Sequence, residues 1–245
     1  MKVGIVAEGP SDVAVLRNIL KGKLDLDKKD VLPIRPELAE DETDLAEHGR
    51  GGAYEEQSER EHSNWLLVLR ECEARENIAA FLDTPLDEER LVVVQIDTAE
   101  AHLTGYDVAR PADRKAKTYC DELRQRVVDK INGLLGPELA ERVRHAVAVE
   151  ETDAWVLTIH DREQQDTSSR GDPKKRLEFV LGKKGSAPQA KGAKGASTPK
   201  RAKGGARAAS AYELYHALSE AFRDTRQLPA CAKRNRSLLL FVDSL

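Results

Sequence analysis

Apolar positions come in short dense runs, separated by longer stretches with helical spacing. Lys2 to Ala7 is apolar and β-branched, which predicts a buried strand. Pro10-Ser11-Asp12 then opens a helix to about Lys21, with Ser11 as its N-cap and Val13, Leu16, Ile19 and Leu20 on one stripe. Val31 to Arg35 reads as a second strand, stopped by Pro36. Residues 37–62 are polar, acidic and Gly-rich, too long for an ordinary connection, so they predict a functional or partly disordered loop. Ser63 can cap a helix to about Leu82, with Trp65, Leu66, Leu69, Cys72 and Ile78 on its apolar side. Arg90 to Ile96 is the clearest central strand, because it is almost continuously aliphatic.

Residues 99–108 read as a loop, and Pro111 as the start of a helix to about Leu135. A short helix over 137–143, a strand over 145–149 and a helix over 154–160 follow. Residues 172–182 are expected to be helical. Ser210-Ala211-Tyr212-Glu213 matches a capping box and starts a helix to about Arg223. Asn235 to Leu245 reads as an apolar helix docked on the core. The alternation of strands and helices predicts an α/β fold with a mainly parallel sheet flanked by helices and a C-terminal helical appendage. The expected organisation is an α/β domain over 1–182, a linker over 183–208 and a helical segment over 209–245.

Composition narrows the class. The chain has 245 residues, 40% hydrophobic and 33% charged, which suits one large, strongly hydrated domain. Nothing resembles a signal peptide and no apolar run approaches the roughly 20 residues of a membrane span, so a cytoplasmic protein is expected. The three cysteines are far apart and the six histidines scattered, which argues against a zinc site or a histidine-rich metal site. The charge is uneven. Residues 183–207 carry eight basic residues and no acidic ones, so an overall charge of −4 leaves −12 for the remainder. A basic tether on an acidic body points to an anionic partner such as DNA or RNA. A solvated tether without a partner is the plainer alternative.

The candidate chemistry lies at strand ends. Glu8 follows the first strand and Asp97 ends the Arg90 strand. In an open α/β sheet both would stand above one edge, where such folds build their sites. Facing carboxylates repel unless a proton or cation lies between them, and hard oxygen donors suit Mg²⁺ or Mn²⁺. A purely structural reading explains Gly9 to Asp12 as a strand-to-helix turn, but not Glu8, which is costly there without a partner. Acids at Glu151 and Asp153 likewise suit the start of a helix.

The run Glu8-Gly9-x-x-Asp12 after a strand resembles the first motif of Toprim domains, the metal-dependent core of topoisomerases, primases and OLD-type nucleases. The strand ending in Asp97 resembles their second motif, and Glu151-x-Asp153-x-Trp155-x-Leu157 a segment of small stand-alone Toprim proteins related to RloB, found beside ABC/SMC-type ATPases in bacterial defence loci. The C-terminal run 235–242 is similar to their last helix. The resemblance implies a Mg²⁺- or Mn²⁺-dependent nuclease, with Glu8 and Asp97 as catalytic carboxylates and Glu8, Asp97, Glu100, Glu151, Asp153 and Asp12 as candidate metal ligands. It also implies an ATPase partner in antiviral defence. One departure stands out: the second acid of Asp-x-Asp would fall at Ala99, with Glu100 one position on. That departure keeps open a subunit that binds nucleic acid or the ATPase without cutting. Lys174, Lys175, Arg176, Lys183, Lys184, Lys200, Arg201 and Lys203 are the candidate nucleic-acid contacts. No Gly-rich nucleotide loop and no Gly-x-Ser-x-Gly elbow occurs, which leaves a nucleotide-cradling enzyme or a serine hydrolase unsupported.

Overall fold

A computed structural model describes residues 1–36, 64–85, 88–183 and 210–245. Its centre is a four-stranded, all-parallel sheet, with β1 (Lys2–Val6), β2 (Val31–Arg35), β3 (Arg90–Asp97) and β4 (Val143–Ala148) in the order β2-β1-β3-β4. Parallel strands need crossovers, and helices provide them. These are α1 (Pro10–Leu24), α2 (Asn64–Ala74), α3 (Glu76–Leu82), α4 (Tyr119–Leu135) and the short α5 (Pro137–Ala140). After β4 come α6 (Asp153–His160), α7 (Pro173–Lys183), α8 (Ala211–Leu218), α9 (Gln227–Ala232) and α10 (Arg236–Ser244). The fold is therefore the α/β arrangement expected from the alternation.

Successive side chains of a strand point to opposite faces, so each strand feeds two cores. Val3, Ile5, Val93, Ala146 and Ala148 pack on one face with α1, α6, α7 and the C-terminal helices. Val6, Val92, Val94, Ile96 and Val147 pack on the other with α2, α3 and α4. Phe241 of α10 is fully buried and stacks on Trp155 of α6 at 5.8 Å between ring centroids. The Trp155 indole N–H donates to Ser237 Oγ at 2.8 Å, so the chain terminus is tied into the first core. Gly22 lets residues 220–223 lie against α1, because an added Cβ there would stand 2.0 Å from the Phe222 carbonyl oxygen.

Several local expectations need correction. Ser11 does not cap α1. Gly9 is the N-cap and Pro10 the first helical residue, a position where proline loses no hydrogen bond. The helix expected from Ser63 to Leu82 breaks at Arg75, which adopts a left-handed backbone (φ 66°) between α2 and α3. Pro111 does not start a helix. Residues 109–118 form turns and irregular chain, and α4 begins at Tyr119. Val143 begins β4 rather than ending a helix. The capping box at Ser210 forms as expected, with Ser210 Oγ accepting from the Glu213 N–H. The acidic stretch 37–62 and most of the basic stretch 183–207 lie outside the described residues. Among the described residues, no helix is long and apolar enough to cross a membrane.

Candidate metal and phosphodiester site

The sheet register brings the two strand-terminal acids together. β1 pairs β3 with Lys2 opposite Arg90 and Val6 opposite Val94, so continuing the ladder sets Glu8 beside the end of β3. Glu8 Oε1 accepts from the Asp97 backbone N–H at 2.6 Å. The Glu8 N–H in turn donates to Gln95 Oε1 at 3.0 Å. Gln95 and Asp97 share a strand face, and the Gln95 amide donates to Asp97 Oδ1 at 2.8 Å and to Thr152 Oγ1 at 3.1 Å. Asp97 Oδ1 also accepts from the Thr152 N–H at 3.1 Å and the Thr152 hydroxyl at 3.0 Å. Asp97 thereby holds the loop entering α6 against the edge of β3.

Each of the two carboxylates has one oxygen anchored and one left over. Among the described residues, Glu8 Oε2 and Asp97 Oδ2 accept no hydrogen bond, and neither side chain has an ion pair. Both residues line an open cleft of about 480 Å³, together with Asn64, Trp65, Ala99, Glu100, Glu151 and Lys174. Lys174 is the one cationic residue among these.

Crowded burial makes these acids reluctant to ionise. Burial first, and then the Asp12 carboxylate, push Glu8 from its ordinary 4.5 to about 8. Asp97 is raised well above the usual range by burial and then by the charge of Glu8. Asp12 rises to about 6 through burial, against a hydrogen bond with Thr152 that favours its charged form. Glu151 is raised by burial and by Asp153. A cluster that resists deprotonation without a counter-charge is one that a hard cation would relieve.

The residues present fit such a cation in one specific way. Among the described residues, no group of three or more Asp, Glu, His or Cys side chains is arranged to hold an ion by itself. Mg²⁺ commonly takes one or two carboxylates and completes its shell with water and substrate phosphate, rather than sitting in an all-protein cage. Two carboxylates with one free oxygen each match that mode.

The other candidates divide clearly. Glu100 and Glu151 line the cleft with Glu8 and Asp97. Asp12 is buried in the first turn of α1, close enough to raise both Glu8 and Asp97. Asp153 is buried but accepts from the Tyr215 hydroxyl at 2.6 Å, and it does not line the cleft. Lys174 lines the cleft, and its backbone N–H makes a long 3.4 Å contact to Glu151 Oε2. Lys175 is exposed beside Asp172. Arg176 turns away to Asp161 at 2.6 Å and to Glu163 at 3.1 Å, which makes it a structural clamp rather than a cleft residue. Lys183 lies against the Phe179 ring. Lys184, Lys200, Arg201 and Lys203 lie outside the described residues.

Gln95, Thr152 and Tyr106 contribute to the site and were not singled out from the sequence. Gln95 and Thr152 fix Asp97 Oδ1, and Gln95 also holds the Glu8 backbone; the signal for Gln95 was a fully buried amide amid valines, which demands partners. The Tyr106 hydroxyl donates to the Asp97 carbonyl at 3.0 Å, and its ring stacks on Trp65 at 5.2 Å. The Trp65 indole N–H is buried without a hydrogen-bond partner among the described residues. Glu150, whose backbone is left-handed (φ 69°), faces away from the cleft. It pairs with Arg114 at 3.0 Å and Arg110 at 3.6 Å.

No protein-family model matches the chain. No curated protein and no solved structure matches it either.

Proposed function

We propose that the chain is a metal-dependent nuclease of Toprim type that hydrolyses phosphodiester bonds in nucleic acid, as the effector of an ATPase-linked bacterial defence system. One observation carries the chemistry: Glu8 and Asp97 meet at the carboxyl edge of the sheet, each with a free oxygen and no ion pair among the described residues. Their free oxygens would hold Mg²⁺ or Mn²⁺, with Glu100 and Glu151 at the rim. When bound, the ion supplies polarisation of the phosphodiester and acidification of a water molecule.

The chain's own residues supply positioning and proton transfer. Gln95 and Thr152 fix Asp97 Oδ1, so only Oδ2 is left for a ligand. Because Glu8 Oε1 is tied to the Asp97 N–H, a proton on Glu8 resides on Oε2. In the ion-free site Glu8 keeps that proton to about pH 8; an ion on Oε2 would displace it and make Glu8 a ligand, which leaves the rim carboxylate Glu151 to take the proton of the attacking water. Lys174 at the cleft offers a positive charge to the phosphate.

Plasmid DNA and structured RNA incubated with Mg²⁺ or Mn²⁺ test the proposal. Wild type is expected to nick or cut one of them, and Glu8→Ala and Asp97→Asn to lose that activity. Absence of cleavage by wild type, or full activity in Glu8→Ala, overturns it.

A second reading is favoured by Ala99, which stands where the motif's second acid would be. In that reading the cleft binds an ion without cutting, and the chain serves as a subunit that docks on the ATPase or on nucleic acid. Metal-dependent thermal stabilisation of the wild type with no cleavage of either substrate supports it.

A further inference from the structure

Helix α7 carries an exposed aromatic ring flanked by cations, two of which are paired: Lys175 with Asp172, and Arg176 with Asp161 and Glu163. Phe179 is 50% exposed, unusual for a phenylalanine when other large side chains are buried. Lys175, Phe179 and Lys183 recur every four residues, so they form one stripe along the helix. The Arg176 guanidinium lies 5.3 Å from the Phe179 ring centroid and the Lys183 ammonium 4.4 Å from it. Arg176 is fixed by Asp161 and Glu163. Lys183 has no ion pair among the described residues, so its flexible stem is free to leave the ring. Beside the ring is a groove of about 160 Å³, lined by Phe179 and Val180, by the cations Arg162 and Lys183, and by Asp161 and Glu163, both of which pair with Arg176. It has room for one flat heterocycle.

We infer that Phe179 is a base-stacking platform for single-stranded nucleic acid, with Lys175 and Lys183 on the flanking phosphates. A ring displayed between cations, followed by a stretch of eight basic and no acidic residues, complements an anionic ligand that also has aromatic faces. An apolar protein surface would instead have to desolvate those cations. Duplex bases have both faces already stacked, so a free base is the suitable partner. The direction of the strand rests on the phosphodiester reading above. Lys174 at the start of α7 lines the acid cleft, and Phe179 lies about 8 Å further along the helix axis at a rise of about 1.5 Å per residue. At about 100° per residue the two side chains also stand about 140° apart around the helix, so a strand that reaches both crosses the helix rather than following its axis.

Fluorescence anisotropy with short labelled single strands of DNA and RNA, and with the matching duplex, tests this in EDTA. Wild type is expected to bind single strands, and Phe179→Ala to weaken that binding about five-fold or more, as loss of one stacked base predicts. Phe179→Leu should resemble Phe179→Ala, because it keeps an apolar contact but no ring. Phe179→Trp should retain affinity, with its emission quenched on binding against the buried background of Trp65 and Trp155. No binding of either strand, unchanged affinity in Phe179→Ala or Phe179→Leu, equal loss for duplex, or an unaltered Trp signal would each overturn the platform. Without metal present, the result is independent of cleavage. Binding without cleavage sinks only the nuclease, and cleavage without a Phe179 effect sinks only the platform.

Discussion

Replacing Glu8 with glutamine should make the protein more stable at alkaline pH. The carboxamide keeps an oxygen for the Asp97 N–H but has no charge at any pH. In the folded wild type, burial and the neighbouring Asp12 hold the Glu8 carboxyl near pKa 8, against 4.5 ordinarily. Between those values the folded state keeps a proton that the unfolded chain has released. Stability from this group is therefore full below pH 4.5 and falls as pH rises towards 8. At about 1.36 kcal/mol per unit, the whole span amounts to about 5 kcal/mol. Solvent at the mouth of the cleft screens part of it, so about 2 kcal/mol is the working magnitude. Urea denaturation of wild type and Glu8→Gln in EDTA, from pH 5 to pH 9, measures the difference directly. The variant's advantage should be small at pH 5 and grow to about 2 kcal/mol by pH 8. Adding Mg²⁺ should recover wild-type stability and leave the variant little changed, since a ligand of the folded state stabilises it. A stability difference that does not vary with pH would refute the picture of a buried, proton-holding Glu8.

Other perturbations probe the supports of the site. Gln95→Leu leaves the Glu8 N–H without its buried partner and takes one donor each from Asp97 Oδ1 and the Thr152 hydroxyl, and should cost about 1–3 kcal/mol in urea denaturation while abolishing metal-dependent stabilisation. Arg114→Ala removes the closer partner of buried Glu150 and should destabilise by about 1–3 kcal/mol in urea denaturation, without changing metal affinity by calorimetry. Gly22→Ala should lower the melting temperature, because its new methyl group meets backbone at Phe222 rather than a side chain that can move. Trp155→Phe loses the bond to Ser237 and should cost about 1–2 kcal/mol, read as a lower urea midpoint.

The strands and the position of the acids were legible because their signals are local. Val-Val-Val-Gln-Ile-Asp can hardly be anything but a central strand with an acid at its end. Parallel register then forces Glu8 and Asp97 to the same edge. The Ser210 capping box was legible for the same reason. What escaped the sequence depends on contacts from afar. Arg75 breaks a helical pattern because its guanidinium reaches the Leu134 carbonyl on α4 at 2.7 Å, which the local spacing cannot reveal. Pro111 looked like a helix start, yet Arg110 is bound to the carbonyls of Thr98 and Ala99, and the chain stays irregular until Tyr119. Asp153 and Arg176 had the right chemistry for a site, but Tyr215 and Asp161 claim them from other segments. Gln95 was visible all along as a polar residue among valines, and its need for partners could have marked it.

The most direct test is anomalous diffraction from crystals grown with Mn²⁺ near pH 8. One strong peak is expected, shared by the free oxygens of Glu8 and Asp97 and absent in Asp97→Asn crystals. An empty cleft at saturating Mn²⁺, or a peak bound elsewhere, would contradict it.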